Sequence, residues 1–257
     1  MARDATDHPV PSGAGEARSP LVLAGLLVVL VAAVAYVVVV VTRPRPAPVV
    51  VPSGLRPTGI PAAVSTSTAS LMALSPVKTV PAPGFHLVDQ HGVPTSLAGL
   101  RGKVVVLEFM DPHCTDICPI VSQEFVRASH DLGALGRRVV FMAINVNRYH
   151  ASTGAMLAFS EEHGLETIPS WRFVTGPTSR LERAWAAYHI QVEAPNPNAD
   201  IIHTSAVYFI DPSGRERYVA MPEVDHTTAG KAFLPADQLA QWGRGIAQVV
   251  RSLVPSP

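Results

Sequence analysis

The chain has 257 residues, of which 47% are hydrophobic and 16% charged, and its formal net charge is zero. It has no basic patch or cluster, which excludes a nucleic-acid partner. Its two cysteines are too few to hold a small disulfide scaffold together, so a hydrophobic core must stabilise the fold. The cysteine pair is therefore better explained as a functional site.

The N-terminal part of the sequence predicts a tail and a membrane anchor. Residues 1–20 are polar, rich in proline and small residues, and predict a disordered tail. Residues 21–41 contain no charge, and at 1.5 Å per residue such a run crosses a bilayer core of about 30 Å. The alternative is a secretory signal peptide, but the run ends in Arg43-Pro44-Arg45, which is a poor cleavage site. We therefore predict one uncleaved transmembrane helix, whose orientation the flanking arginines do not decide.

Residues 42–83 predict a linker. Prolines recur along the whole segment, and a run of serine and threonine residues lies at 65–70. Such composition is typical of a semi-rigid, extended spacer. A folded domain is expected to follow over residues 84–254.

The domain alternates between buried strands and amphipathic helices. Near-continuous apolar runs predict strands that are covered on both faces, and the helices between them indicate parallel pairing. A turn at Asp211–Gly214 indicates one antiparallel pair. This order predicts a mixed sheet with helices on both sides, which is the arrangement of a thioredoxin-like fold. The predicted strands are 103–109, 139–144, 171–174, 206–210 and 217–219, and the predicted helices are 116–134, 152–163, a segment containing Leu181, Trp185 and Tyr188, and about 236–253.

Both cysteines lie where the first core strand passes into a helix. The helix prediction places Cys114 in the first turn, where free backbone N–H groups and the helix dipole lower the pKa of a thiol. Cys118 would lie one turn further on, so that two thiolates can bind one soft metal ion or form a disulfide. A structural disulfide is the alternative, but a loop this short would stabilise the fold little. We favour a redox or metal-binding role.

His203 precedes the predicted strand at 206–210. In thioredoxin-like folds this loop approaches the cysteine turn, and redox enzymes of the fold usually have a cis-proline there. Two cysteines and a histidine form a donor set that suits Cu(I) and also accepts Cu(II). From the position alone, His203 could equally be a surface histidine, or one that supports the ligands without binding the metal itself.

Three segments together resemble the Sco/SenC family. Residues 109–119 (FMDPHCTDICP) are similar to its cysteine motif, and residues 171–176 (WRFVTG) are similar to the strand before its additional helix. Residues 203–214 (HTSAVYFIDPSG) resemble its histidine strand and the hairpin that follows. The resemblance covers about residues 84–253, and an N-terminal membrane anchor is also usual in that family.

The resemblance implies a copper-binding metallochaperone whose folded domain lies outside the cytoplasm. Members bind copper and help to assemble the dinuclear copper centre of cytochrome c oxidase, and some reduce disulfides. Cys114 and Cys118 would be the thiolate ligands and the redox pair, and His203 the third copper ligand. The expected partner is the copper-centre subunit or another extracytoplasmic thiol protein. Localisation in the cell membrane, as a single-pass protein with its C-terminal domain outside the cytoplasm, follows from the same resemblance.

Two departures from the family pattern keep an enzymatic role open. The family usually has an acid at the end of its second strand and an aspartate before its histidine. This chain has Asn145 and Asn147 at the first place, and Ile202 at the second, with Asp200 two residues earlier. Acids in such places orient ligands and tune a metal. Their absence favours the alternative of a thiol–disulfide oxidoreductase without copper.

Two further side chains lie near the cysteines in the sequence. Glu108 belongs to the strand before the motif. We expect its carboxylate to face solvent, and the alternative is an acid that orients a metal ligand or carries a proton. His113 either lowers the pKa of Cys114 or is a surface histidine.

Overall fold

The computed structural model describes residues 58–255. The predicted tail, the predicted membrane helix at 21–41 and the first part of the predicted linker lie outside these residues. Within the described part, every helix is too short or too polar to cross a bilayer.

The described chain forms helices and strands in the following order. They are α1 (Thr66–Leu71), β1 (Ser75–Pro76), β2 (His86–Val88), β3 (Pro94–Ser96), β4 (Val104–Met110), α2 (Ile117–Leu132), β5 (Val139–Asn145), α3 (Thr153–Glu162), β6 (Arg172–Val174), α4 (Thr178–Ala187), β7 (Val192–Glu193), β8 (Ile202–His203), β9 (Val207–Ile210), β10 (Glu216–Ala220), β11 (Asp225–His226), β12 (Ala232–Phe233) and α5 (Ala236–Leu253).

The main sheet of the described residues has the strand order β1-β10-β9-β4-β5-β6. Strands β4, β5 and β6 are parallel, as predicted, and every residue of β4 and β5 is buried. The hairpin β9–β10 is the predicted antiparallel pair. Two more pairs of strands are antiparallel. β9 pairs with β4, and β1 pairs with β10 at the outer edge of the sheet.

Hydrophobic side chains cover both faces of the sheet. Val104 and Val106 of β4 point to the face that α2 and α5 cover, whereas Val105 and Leu107 point to the face that α4 covers. The three tryptophans are core residues: Trp171, Trp185 and Trp242 are 6%, 4% and 1% exposed. The mixed α/β architecture with helices on both sides is therefore confirmed.

The second half of the predicted linker is packed on the domain and is not an extended spacer. Ser65 caps α1 by accepting a hydrogen bond from the Thr68 N–H at 3.1 Å. Val64, Met72 and Leu74 are buried, and Ser75 pairs with Val219 of β10. The prediction of a linker to residue 83 is therefore corrected for residues 59–83, because their apolar side chains complete the core beside α5.

Candidate dithiol and metal site

The two cysteines lie on either side of the start of α2. Cys114 belongs to the preceding loop, where its N–H donates to the Asp111 carbonyl at 3.1 Å, and Cys118 is in the first helical turn. The prediction that Cys114 lies within the first turn is corrected. Pro119 has no N–H and is tolerated only in the first turn of a helix, so the helix cannot begin as early as Cys114.

The two thiols differ strongly in acidity. The Cys118 thiol donates a hydrogen bond to Cys114 and lowers its pKa from 9.0 to about 7, against the opposing effect of burial. The Cys118 backbone N–H also points at the Cys114 Sγ, at 3.5 Å. The pKa of Cys118 is raised well above its ordinary value, because its thiol is the hydrogen-bond donor and because it is buried. Cys114 is thus the partly exposed thiol that ionises more readily, and Cys118 is the buried thiol that keeps its proton.

His203 lines the same cavity as Cys114. The cavity has a volume of about 420 Å³, and both residues line it together with Asp111 and Asp200. The His203 Nδ1 lies 3.0 Å from the Thr204 carbonyl, which can only accept, so Nδ1 carries the proton and Nε2 keeps its lone pair. Burial lowers the pKa of His203, which favours the neutral, ligand-competent ring.

Asp111 is the acid at the carboxyl ends of the central strands. Its Oδ1 accepts hydrogen bonds from the Asn147 side chain at 2.9 Å and from the His113 backbone N–H at 2.9 Å. Asp111 and Asn147 are both buried, at 5% and 4% exposure. The acid that the family usually has after β5 is missing here, and no role for Asp111 was predicted. Its position directly after β4 was the available signal, since the ends of parallel strands meet at one edge.

Glu108 is buried, which corrects the expectation of a solvent-facing carboxylate. It is 1% exposed, and its Oε1 accepts hydrogen bonds from the Ser205 Oγ at 2.9 Å and the Ala206 N–H at 3.2 Å. Burial raises the pKa of Glu108 to about 8. The apolar run around Glu108 was the available signal for this burial, but its partners are almost one hundred residues away in the chain.

His113 and several isoleucine side chains also line the cavity. His113 is exposed and stacks on His150, with ring centroids 3.8 Å apart, so the surface interpretation of His113 applies. His113 is not among the groups that shift the pKa of Cys114. Ile202, next to His203, is 66% exposed.

The donor chemistry fits a soft metal ion, although the three predicted ligands do not converge on one point. Within residues 58–255, no three side chains of His, Cys, Asp or Glu form a group that could hold a metal. Cys114 and His203 nevertheless share one cavity, and Cys118 is hydrogen-bonded to Cys114 behind it. Two sulfurs and one neutral imidazole are the donors that Cu(I) prefers. The thiols or the His203 loop must therefore move for all three side chains to bind one ion.

The fold and the site define a thioredoxin-like protein with an asymmetric dithiol and a facing histidine. The SCO1/SenC family model matches residues 76–232, which is more than half of the chain. The chain therefore belongs to the SCO1/SenC family.

Individual relatives agree with this family assignment. The chain is 26% identical to the SCO1 protein homolog of Bacillus subtilis over 133 residues, covering 51% of this chain and 68% of that protein. It is 27% identical over 138 residues to the human mitochondrial SCO2 homolog, of which the match spans only half the length. The copper-bound structure of Bradyrhizobium japonicum ScoI superimposes with a TM-score of 0.51 at 18% identity, covering 66% of this chain and 99% of that one.

Proposed function

We propose that the chain is a membrane-anchored copper-binding protein whose CxxxC pair and His203 receive copper for the copper centre of cytochrome c oxidase. The observation that carries the proposal is the shared cavity of Cys114 and His203, with Cys118 hydrogen-bonded to Cys114. Family membership and the copper in the Bradyrhizobium relative support it. Copper is the cargo here, and the partner is the copper-centre subunit or another extracytoplasmic thiol protein.

Each ligand has a distinct part in this proposal. Cys114, with a pKa of about 7, offers a thiolate without external help at neutral pH. Cys118 releases its proton when copper replaces it, because the thiolate is the form that binds metal. His203 contributes Nε2, since its Nδ1 faces the Thr204 carbonyl. Oxidation of the dithiol to a disulfide would remove both sulfur donors, so copper loading requires the reduced protein.

An anaerobic titration of the reduced full chain with Cu(I), in competition with a chromophoric chelator, tests this proposal. We expect a one-to-one complex that Cys114→Ser abolishes and that His203→Ala weakens at least about tenfold. His86→Ala is the matched control, because His86 is exposed in β2 and outside the cavity. A wild type that binds no better than His203→Ala would contradict the assignment of His203 as a ligand.

A thiol–disulfide reductase is the second candidate, and the unequal acidity of the two thiols favours it. The Cys114 thiolate attacks a partner disulfide and forms a mixed disulfide, while one partner thiolate leaves. Cys118 then loses its proton and attacks the Cys114 sulfur, which releases the second partner thiolate. The products are a Cys114–Cys118 disulfide and a reduced partner. Reduction of a model disulfide by the copper-free protein, abolished in Cys114→Ser, would establish this activity.

The proposed topology places residues 21–41 in the membrane and the domain outside the cytoplasm. The uncharged run and the usual anchor of the family support this arrangement. A membrane-impermeant maleimide applied to intact cells tests it. Labelling of Cys114 without lysis is expected, and labelling only after lysis would contradict it.

A further inference from the structure

We infer that Glu108 is a positioning residue for His203, because its buried carboxyl group ties the segment after His203 to the strand that leads to Cys114. This inference deepens the proposed function, on which it rests. The bonds that carry it are those from Ser205 Oγ and Ala206 N–H to Glu108 Oε1, at 2.9 and 3.2 Å.

The sheet itself holds His203 only indirectly. The β4–β9 pairing extends from Val105–Ile210 to Leu107–Tyr208 and ends there. His203 belongs to the separate ribbon of β7 and β8, in which it pairs with Val192. Residues 204–206 connect this ribbon to β9, beyond the last β4–β9 pair. There the Glu108 side chain accepts hydrogen bonds from Ser205 and Ala206, where the backbone ladder supplies none.

The neutral form of Glu108 is sufficient for this role. Burial raises the pKa of Glu108 to about 8, so the group is mostly protonated at neutral pH. One oxygen of a protonated carboxyl group still accepts hydrogen bonds. Oε1 has both donors, whereas the buried Oε2 has no hydrogen-bond partner among the described residues. Glutamine preserves the accepting oxygen, and leucine removes it at similar size.

Glu124 of α2 supplies a matched control. It is a second glutamate on the same side of the sheet, 0% exposed, and neither Ser205 nor Ala206 donates a hydrogen bond to it. Neither of its carboxyl oxygens has a hydrogen-bond partner within the described part of the chain. Glu124→Leu therefore removes a buried carboxyl group of the same kind without releasing the segment after His203.

The experiment combines a copper readout with one that needs no copper. The first is the Cu(I) affinity of the reduced full chain, measured for Glu108→Leu, Glu108→Gln and Glu124→Leu, each also combined with His203→Ala. The second is hydrogen exchange of the Ala206 amide in the copper-free protein. We expect Glu108→Leu to weaken Cu(I) binding about tenfold or more and to accelerate Ala206 exchange at least about tenfold. Glu108→Gln should stay within about threefold of wild type in both measurements, and Glu124→Leu should stay within about threefold in Cu(I) affinity without accelerating Ala206 exchange.

The double variants show whether Glu108 acts through the histidine. In the His203→Ala background, Glu108→Leu should cost no further copper affinity. An equal loss in both backgrounds, or wild-type exchange at Ala206 in Glu108→Leu, would overturn the inference. If wild type and His203→Ala bind copper equally, the proposed ligand set fails instead, and Ala206 exchange alone then decides whether Glu108 holds the segment. If Glu108→Leu does not fold, Ser205→Ala replaces it, with a smaller change of the same kind expected.

Discussion

The side-chain amide of Asn147 donates a hydrogen bond to the Asp111 carboxylate across 2.9 Å, which joins the chain beyond β5 to the loop of Cys114. The Asn147 Oδ1 in turn accepts from the backbone N–H groups of Tyr149 and His150, at 3.0 and 3.2 Å. Both side chains of this pair are buried. The acid of the site, Asp111, thus follows β4, and the neutral amide of Asn147, which follows β5, holds it by a hydrogen bond.

Asn147→Asp should destabilise the protein in a pH-dependent way. Two carboxyl groups at this distance cannot both ionise while buried, whereas in the unfolded chain both ionise freely. The free energy of unfolding should therefore be closest to wild type near pH 4 and fall about 2–4 kcal/mol below it by pH 7. Urea denaturation at several pH values measures this. Asn147→Ala is the control, because it loses the hydrogen bonds without adding a charge and should show a loss that depends less steeply on pH.

Alkylation of Cys114 should follow the ionisation of its thiol. With a pKa of about 7, the rate of reaction with iodoacetamide should rise with pH and reach half its maximum near pH 7. Cys118→Ala removes the thiol that donates to Cys114, so the rate at pH 7 should fall at least about tenfold. Peptide mapping of the alkylated wild type should find the label on Cys114 first. Equal labelling of both cysteines would contradict the assigned asymmetry.

Gly245→Ala should loosen the segment 59–83 from α5. A Cβ at Gly245 would collide with the Met72 Sδ and lie 2.7 Å from the Thr68 Cγ2. The collision should cost about 1–3 kcal/mol, more than the gain of about 1 kcal/mol in helix propensity. Trypsin cleavage after the exposed Lys78 should become faster in this variant. Gly154→Ala in α3 is the control, since nothing lies within 4 Å of the added methyl, and it should be neutral or stabilising.

Glu124→Leu should stabilise the protein, and more so as pH rises. Burial raises the pKa of Glu124 well above its ordinary value of 4.5, so the folded state keeps a proton that the unfolded chain releases. The free energy of unfolding of the wild type therefore falls as pH rises above about 4.5. Replacing the unpaired carboxyl group by an apolar side chain should raise stability by about 1–3 kcal/mol at pH 7. The denaturation midpoints of wild type and Glu124→Leu are measured at pH 5 and pH 7.5. A difference between the two proteins that is the same at both pH values would contradict this reasoning.

Much of the fold was predictable because burial has a local signature. The apolar runs at 104–107 and 139–144 predicted β4 and β5, and the helical spacing of Leu239, Trp242 and Ile246 predicted α5. The segment 59–83 was misjudged because its prolines and serines resemble a linker. Its few apolar residues become significant only against α5, which lies more than 150 residues further along the chain.

By itself, the sequence determined the cysteine pair, the histidine before β9 and the alternation of strands and helices, since residue spacing and local hydrophobicity decide these features. Only the tertiary structure decided that Asp111 pairs with Asn147, that Glu108 holds Ser205 and Ala206, and that Cys118 is the donor to Cys114. The physical reason is that a buried polar group takes the partner that strand register and helix packing bring within 3 Å, and neither is written in the local sequence.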